Sequence, residues 1–116
     1  MRQLWHPEPE EITLTGVLSA LGDPIRLSIV GVLADGREHG VGEFQYPIAK
    51  STLSHHAKVL REAGITLTRQ EGTRCFVSLR PELEELFPGV IPSVLAASAG
   101  RTDRAPADRA RRATVH

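Results

Sequence analysis

A mostly α-helical domain carrying one β-hairpin is the fold class that this 116-residue sequence predicts. Three observations predict it. Apolar residues recur at helical spacing through two adjoining segments between residues 10 and 35. A polar, basic run, KSTLSHHAKVLREAG, reads as a further well-bounded helix at residues 50–64. Directly after it, ITLTR and RCFVSL flank the connection QEGT, two β-branched, alternating runs with a glycine between them.

From about Glu10, the residues Leu14, Val17, Leu18 and Leu21 fall at i, i+3, i+4 and i+7, one face of a first helix that Gly22 ends. Asp23-Pro24 starts a second, because aspartate caps the orphan amides and proline suits the first turn. Its stripe is Ile25, Ile29, Val32 and Leu33. Leu27 and Val30 widen it, which predicts a central helix ended by Asp35-Gly36. Residues 37–49 are weakly patterned. Val41 to Phe44 allow one or two helical turns before Tyr46-Pro47 breaks them. In the next helix Ser51 is the candidate N-cap, Leu53, Ala57 and Leu60 line one face, and Gly64 follows the last turn. Beyond the hairpin, Arg80-Pro81 opens a short helix with Leu83, Leu86 and Phe87. After Pro88-Gly89 a final helix carries Ile91, Pro92, Val94 and Leu95. Residues 1–9 read as a flexible N-terminal arm, 10–97 as the domain, and 98–116 as a disordered basic tail.

Composition narrows the class. Hydrophobic residues make up 41% and charged residues 24%, as in a globular protein, and aromatics only 4%. The single cysteine, Cys75, excludes an intramolecular disulfide, and no apolar run suits a membrane span or a signal peptide. The expectation is a cytoplasmic protein. The net charge is zero, but it is unevenly spread. Residues 1–49 hold three Lys/Arg against seven Asp/Glu, and residues 50–80 hold six against two. Residues 81–100 hold three glutamates, and residues 101–116 five arginines against two aspartates. A polyanion responds to that local basic block, not to the average.

Helices followed by a hairpin, with a basic helix just before it, is the order of a winged helix-turn-helix domain. The stretches ALGDPIRLSIVGVLADG, KSTLSHHAKVLREAGI and TRQEGTRCFVSL together resemble the ArsR-type winged helix-turn-helix transcriptional regulators, over residues 12–97. The resemblance implies a homodimer on palindromic operator DNA, usually repressing transcription until an effector releases it. It implies that Ser51–Gly64 is the recognition helix and Arg69–Arg74 the wing tip, and that the first and last helices form the dimer interface. The chain departs from the family pattern at Tyr46-Pro47, where the first helix of the motif looks shortened. A second departure is Ala57, where a larger apolar residue is common. The third is the missing metal sites: residues 37–46 hold His39 and Glu43 without a cysteine, and the last helices hold no histidine.

His55 and His56 invite a metal or catalytic reading, but adjacent helical residues point about 100° apart, whereas metal pairs favour i, i+4. The residues divide instead, His55 toward DNA and His56 toward packing, with a backbone hydrogen bond holding the latter. Ser51, Thr52 and Ser54 supply hydroxyls, and His55 and Lys58 reach phosphates or base edges. Arg69 and Arg74 suit a minor groove or its flanking phosphates. Lys50, Arg61 and Thr73 complete the expected DNA-binding set. Cys75 reads as buried packing, with a redox handle as the alternative. The Arg-rich tail reads as solvated, with non-specific phosphate binding as its alternative. Nothing suggests an enzyme: GVG at 40–42 lacks the flanking strand and lysine of a phosphate loop. The expected function is a DNA-binding repressor that needs no metal or cofactor. Its partners are operator DNA, a second copy and an unspecified small-molecule effector. The rivals are a metal or redox sensor of the same fold, and an interaction module that has lost DNA binding.

Overall fold

A computed structural model of the chain describes residues 2–99. The order is β1 (Arg2–Gln3), α1 (Leu14–Ala20), α2 (Pro24–Leu33), β2 (His39–Gly40), α3 (Lys50–Glu62), β3 (Thr66–Glu71), β4 (Arg74–Leu79), α4 (Glu82–Leu86) and α5 (Val90–Ser98). Single 3₁₀ turns at Pro9–Glu11 and Val41–Glu43 precede α1 and α3. The expected basic tail lies outside the described residues from residue 100 on, while Ser98 closes α5. Among the described residues no single helix is long and apolar enough to cross a membrane.

The local signals explain most boundaries. The Thr13 hydroxyl accepts from the Gly16 amide at 3.0 Å, so α1 begins at Leu14, four residues later than its periodicity suggests. Asp23 Oδ2 accepts from the Ile25 and Arg26 amides at 2.9 and 3.1 Å, and Pro24 occupies the first turn of α2. Ser51 does not cap α3. The helix starts two residues earlier, with Ala49 as its N-cap, which leaves the Ser51 hydroxyl exposed in the first turn. The other end follows the glycine signal: Ile65 N–H donates to Leu60 C=O and Gly64 N–H to Arg61 C=O, both at 3.0 Å, with Gly64 left-handed at φ +86°.

The core gathers Val17, Val30, Leu33, Leu60 and Ile65, each at most 1% exposed, between α1, α2, α3 and the inner face of the hairpin. The two helical stripes are not buried as read. Leu14 and Leu18 are 42% and 45% exposed, and on α2 it is Val30 that is enclosed while Val32 is 42% exposed. The apolar surface of each helix is wider than one chain can cover.

The hairpin is longer than expected. β3 and β4 pair antiparallel from Thr66↔Leu79 to Glu71↔Arg74, so Gly72 and Thr73 alone make the turn. Two short strands extend it into a four-stranded antiparallel sheet, β1-β3-β4-β2. β1 matters most for the reading of the N-terminus, because residues 2–9 are not a loose arm. Arg2 and Gln3 pair with Gln70 and Arg69, Thr68 N–H donates to His6 Nε2 at 2.9 Å, and Arg80 Nη1 donates to Pro7 C=O at 2.6 Å. The strand pairing and the His6 bond cover the outer edge of β3, which would otherwise present unpaired backbone.

Candidate nucleic-acid interface

α3 carries two unlike faces. Leu60 and His56 are buried, and Leu53, Ala57 and Val59 are partly so. Lys50, Ser51, Thr52, Ser54, His55 and Lys58 are all exposed. Ser51, His55 and Lys58 follow one another at i, i+4 and i+7, so they form a row. Ala49 has no side chain to cap the first turn, so the amides there face outward at the positive end of the helix dipole. Hydroxyls, an imidazole, two ammonium groups and first-turn amides on one exposed helix face match what a phosphate backbone and base edges accept.

His56 is held by side chains, not by the backbone hydrogen bond expected of it. A guanidinium only donates, so the 3.1 Å contact from Arg26 Nη1 makes His56 Nδ1 the acceptor and places the ring proton on Nε2, 3.9 Å from Asp23 Oδ2. Burial lowers the imidazole below its ordinary value; Asp23 opposes that, while Arg26 and His55 reinforce it. Arg26 also donates from Nε to Ala20 C=O at 2.6 Å. Arg26 thereby ties the end of α1 and the start of α2 to α3. Asp23-Pro24-Ile25-Arg26 is therefore more than a helix start.

Two of the expected DNA-binding residues are committed elsewhere. Arg61 is mostly buried at the last turn of α3. It donates from Nε to Trp5 C=O at 3.0 Å, with Glu62 3.9 Å from its Nη2. Arg69 forms a two-pronged pair with Glu38, Nε to Oε2 at 3.0 Å and Nη2 to Oε1 at 2.8 Å, and lies 3.3 Å from Glu71. The Glu38 hydrogen bond raises the Arg69 pKa, and the same contact lowers that of the Glu38 carboxyl. Thr73 and Arg74 remain exposed at the hairpin tip. The Arg69 and Arg74 guanidinium carbons stand 4.6 and 5.1 Å from the centroid of the Phe76 ring.

His39, missed as a charged centre, is bracketed by carboxylates. Its Nε2 donates to Asp35 Oδ2 and its Nδ1 to Glu43 Oε1, both at 2.9 Å, and these hydrogen bonds, Glu43 first, raise its pKa. Both ring nitrogens are therefore occupied, and the two carboxylates sit on opposite sides of the ring. Among the described residues no three His, Cys, Asp or Glu side chains are placed to hold a metal ion. Cys75 is half-buried, and burial raises its thiol above the ordinary value, with Arg61 opposing.

A helix with an exposed polar face and a buried rear face, followed by a two-stranded wing, defines a helix-turn-helix DNA-binding regulator, a class that is not enzymatic. The chain belongs to the HTH-type transcriptional regulators, and it has the fold of an ArsR family regulator. It is 40% identical over 82 residues to YceK of Bacillus subtilis, an uncharacterized HTH-type transcriptional regulator, covering 68% of this chain and 79% of that protein. The transcriptional repressor BigR from Xylella fastidiosa superposes with a TM-score of 0.60 at 31% identity, covering 76% of this chain and 88% of BigR. A shorter match, 43% identical over 65 residues, links 54% of this chain to 55% of a biofilm growth-associated repressor of Agrobacterium fabrum. No family model matches the chain.

Proposed function

We propose that the protein is a repressor that binds a pseudo-palindromic operator as a homodimer and responds to something other than a metal. The observation that carries the DNA reading is the division of α3: six polar or cationic side chains face outward while His56 and Leu60 anchor the opposite side. Each protomer lays residues 51–61 in a major groove, with Thr73 and Arg74 at the flanking backbone. Two-fold symmetry spaces the half-sites about one turn of DNA apart. Repression is suggested by the relatives that are repressors.

The dimer reading rests on apolar surface that one chain leaves open. Leu14 and Leu18 are exposed on α1, and none of α5, VIPSVLAAS, is fully buried. Residues 10–97 then form the DNA-binding and dimerising domain. A groove of about 510 Å³ between the end of α2, α4 and α5, lined by Leu79, Leu83, Ile91 and Leu95, is the place we assign to an apolar effector. Metal independence is supported by His39, whose ring is filled by carboxylates, and by Cys75, whose half-buried thiol is biased toward its protonated form. A cytoplasmic location goes with this reading, since operator DNA is the partner.

Fluorescence anisotropy tests the whole reading. The protein is titrated onto the duplex upstream of its own gene and onto a scrambled duplex, with EDTA or Zn²⁺. Specific binding indifferent to both additives supports the proposal. Binding abolished by Zn²⁺ refutes metal independence. If neither this duplex nor a random-sequence pool is bound specifically, the domain is an interaction module. Leu18→Glu should convert the dimer to monomer by light scattering; a wild-type monomer bound to DNA refutes the two-fold model.

A further inference from the structure

The wing carries its own competitor for DNA. On its outer face alternation along β3 and β4 places Arg69 and Glu71 beside Phe76 and Arg74, through the pairs Arg69↔Phe76 and Glu71↔Arg74. Glu38 reaches this face from the adjoining segment. It is held there by the fold, because the next two residues form β2, with His39↔Val77 and Gly40↔Phe76 on β4. The bracketing of His39 by Asp35 and Glu43 secures that segment from the other side. Two arginines, 69 and 74, thus stand against two glutamates, 38 and 71, and the outer face of the wing is neutral as it stands.

We propose that Glu38 sets the DNA affinity of the wing by occupying the guanidinium fork of Arg69, which a backbone phosphate must take from it; this rests on the DNA-binding reading above. The chemistry is a direct exchange. A guanidinium binds carboxylate and phosphate with the same two parallel N–H donors, so one ligand replaces the other without new geometry. The position allows it. Arg69 lies two residues before the Glu71–Arg74 end of the hairpin, about 7 Å along the strand, which is within the reach of an arginine side chain at the flanking backbone. The pair is solvent-accessible, with side chains 37% and 41% exposed, so a phosphate approaches it without unfolding anything. Phe76 supplies a face on which Arg69 is retained beside Arg74 after Glu38 lets go. Glu38 is a positioning residue: it touches no DNA and acts through Arg69.

Glu38→Gln keeps the size of the side chain, removes the charge and leaves one acceptor for a fork that offers two donors. Anisotropy titrations at several salt concentrations should show tighter operator binding, by up to about fivefold per wing, the upper worth of an exposed ion pair. The slope of log K against log[salt] should steepen by about 0.9 per wing, since each newly available arginine displaces one more counterion. The gain must disappear in the Arg69→Ala background, which separates release of Arg69 from a mere loss of repulsion by Glu38. A gain that persists in that background overturns the proposal. So does unchanged or weaker binding by Glu38→Gln at an unaltered melting temperature, since Glu38 then does not withhold Arg69 from DNA. Wild-type protein that binds no duplex removes the DNA reading itself, and the proposal with it; wild-type binding with an inert Glu38 removes the proposal alone.

Discussion

Gly64 joins α3 to the hairpin, and replacing it with alanine separates two physical effects that one glycine combines. Its φ is +86°, a left-handed value that costs an alanine about 1–2 kcal/mol. The lower freedom of alanine in the unfolded chain returns about 0.4–1 kcal/mol. Gly72 in the hairpin turn, at φ +61° with nothing within 4 Å of a built Cβ, bears only these two effects. Gly72→Ala should therefore cost about 1 kcal/mol. At Gly64 a Cβ would come 2.5 and 2.6 Å from Cγ1 and Cδ1 of Ile12, which is itself buried. Overpacking of that kind adds about 1–3 kcal/mol, so Gly64→Ala should lose about 2–4 kcal/mol. For a domain of this size about 4–8 °C is lost per kcal/mol, so the Tm should fall by about 10–25 °C, against about 5 °C for Gly72→Ala. Thermal unfolding followed by circular dichroism measures both. Ile12→Ala should cost less in the Gly64→Ala background than in wild type, because it relieves the clash. Equal Tm losses at the two glycines, or strict additivity with Ile12→Ala, would refute the packing argument and leave backbone conformation alone to account for Gly64.

The two faces of α3 make opposite predictions. Lys58→Ala should weaken operator binding and reduce the salt slope by about 1.8 per dimer, because each protomer then neutralises one phosphate fewer, without changing the Tm. Arg61→Ala should leave the slope unchanged and lower the Tm instead, since its guanidinium holds Trp5 C=O; a slope change there would mean that Arg61 leaves the arm to reach DNA. The buried imidazole of His56 sets a pH dependence. Its folded pKa lies below the ordinary 6.5, so the unfolded chain takes up a proton more readily. Its contribution is fully present above pH 6.5 and is lost as pH falls from there through the folded value. His39 is shifted upward and acts in the opposite sense, its contribution fading as pH rises above 6.5. The difference in stability between wild type and His56→Gln, from urea titrations, should shrink from pH 7.5 to pH 5; a difference that grows on acidification would show that His56 is charged in the folded protein.

What was legible in the sequence is what depends on neighbours along the chain. Asp23-Pro24 marked the start of α2 because a carboxylate and a ring of fixed φ act within three residues. Gly64 marked the end of α3 because only glycine takes up its φ without strain, and the alternation in ITLTR and RCFVSL marked the hairpin. The polar row of α3 followed from helical spacing once the helix was bounded. The two-residue strands β1 and β2 were not legible, since a pair of residues holds no periodicity and exists as a strand only by docking on an edge. The exposure of Leu14, Leu18 and Val32 was not legible either, because periodicity says which residues share a face but not how much of that face a neighbour covers.

The fates of the basic residues draw the line most clearly. By itself the sequence determined that Lys58, Arg61, Arg69 and Arg74 lie on a helix and a hairpin that follow one another, and hence the class of protein. Which of those cations face solvent was decided by partners far along the chain. Arg61 meets Trp5 across 56 residues, Arg69 meets Glu38 across 31, and Arg26 meets His56 across 30. Local patterns arise from hydrogen bonds and sterics acting over a few residues. An ion pair needs two side chains brought within about 4 Å, and only the folded chain sets that distance.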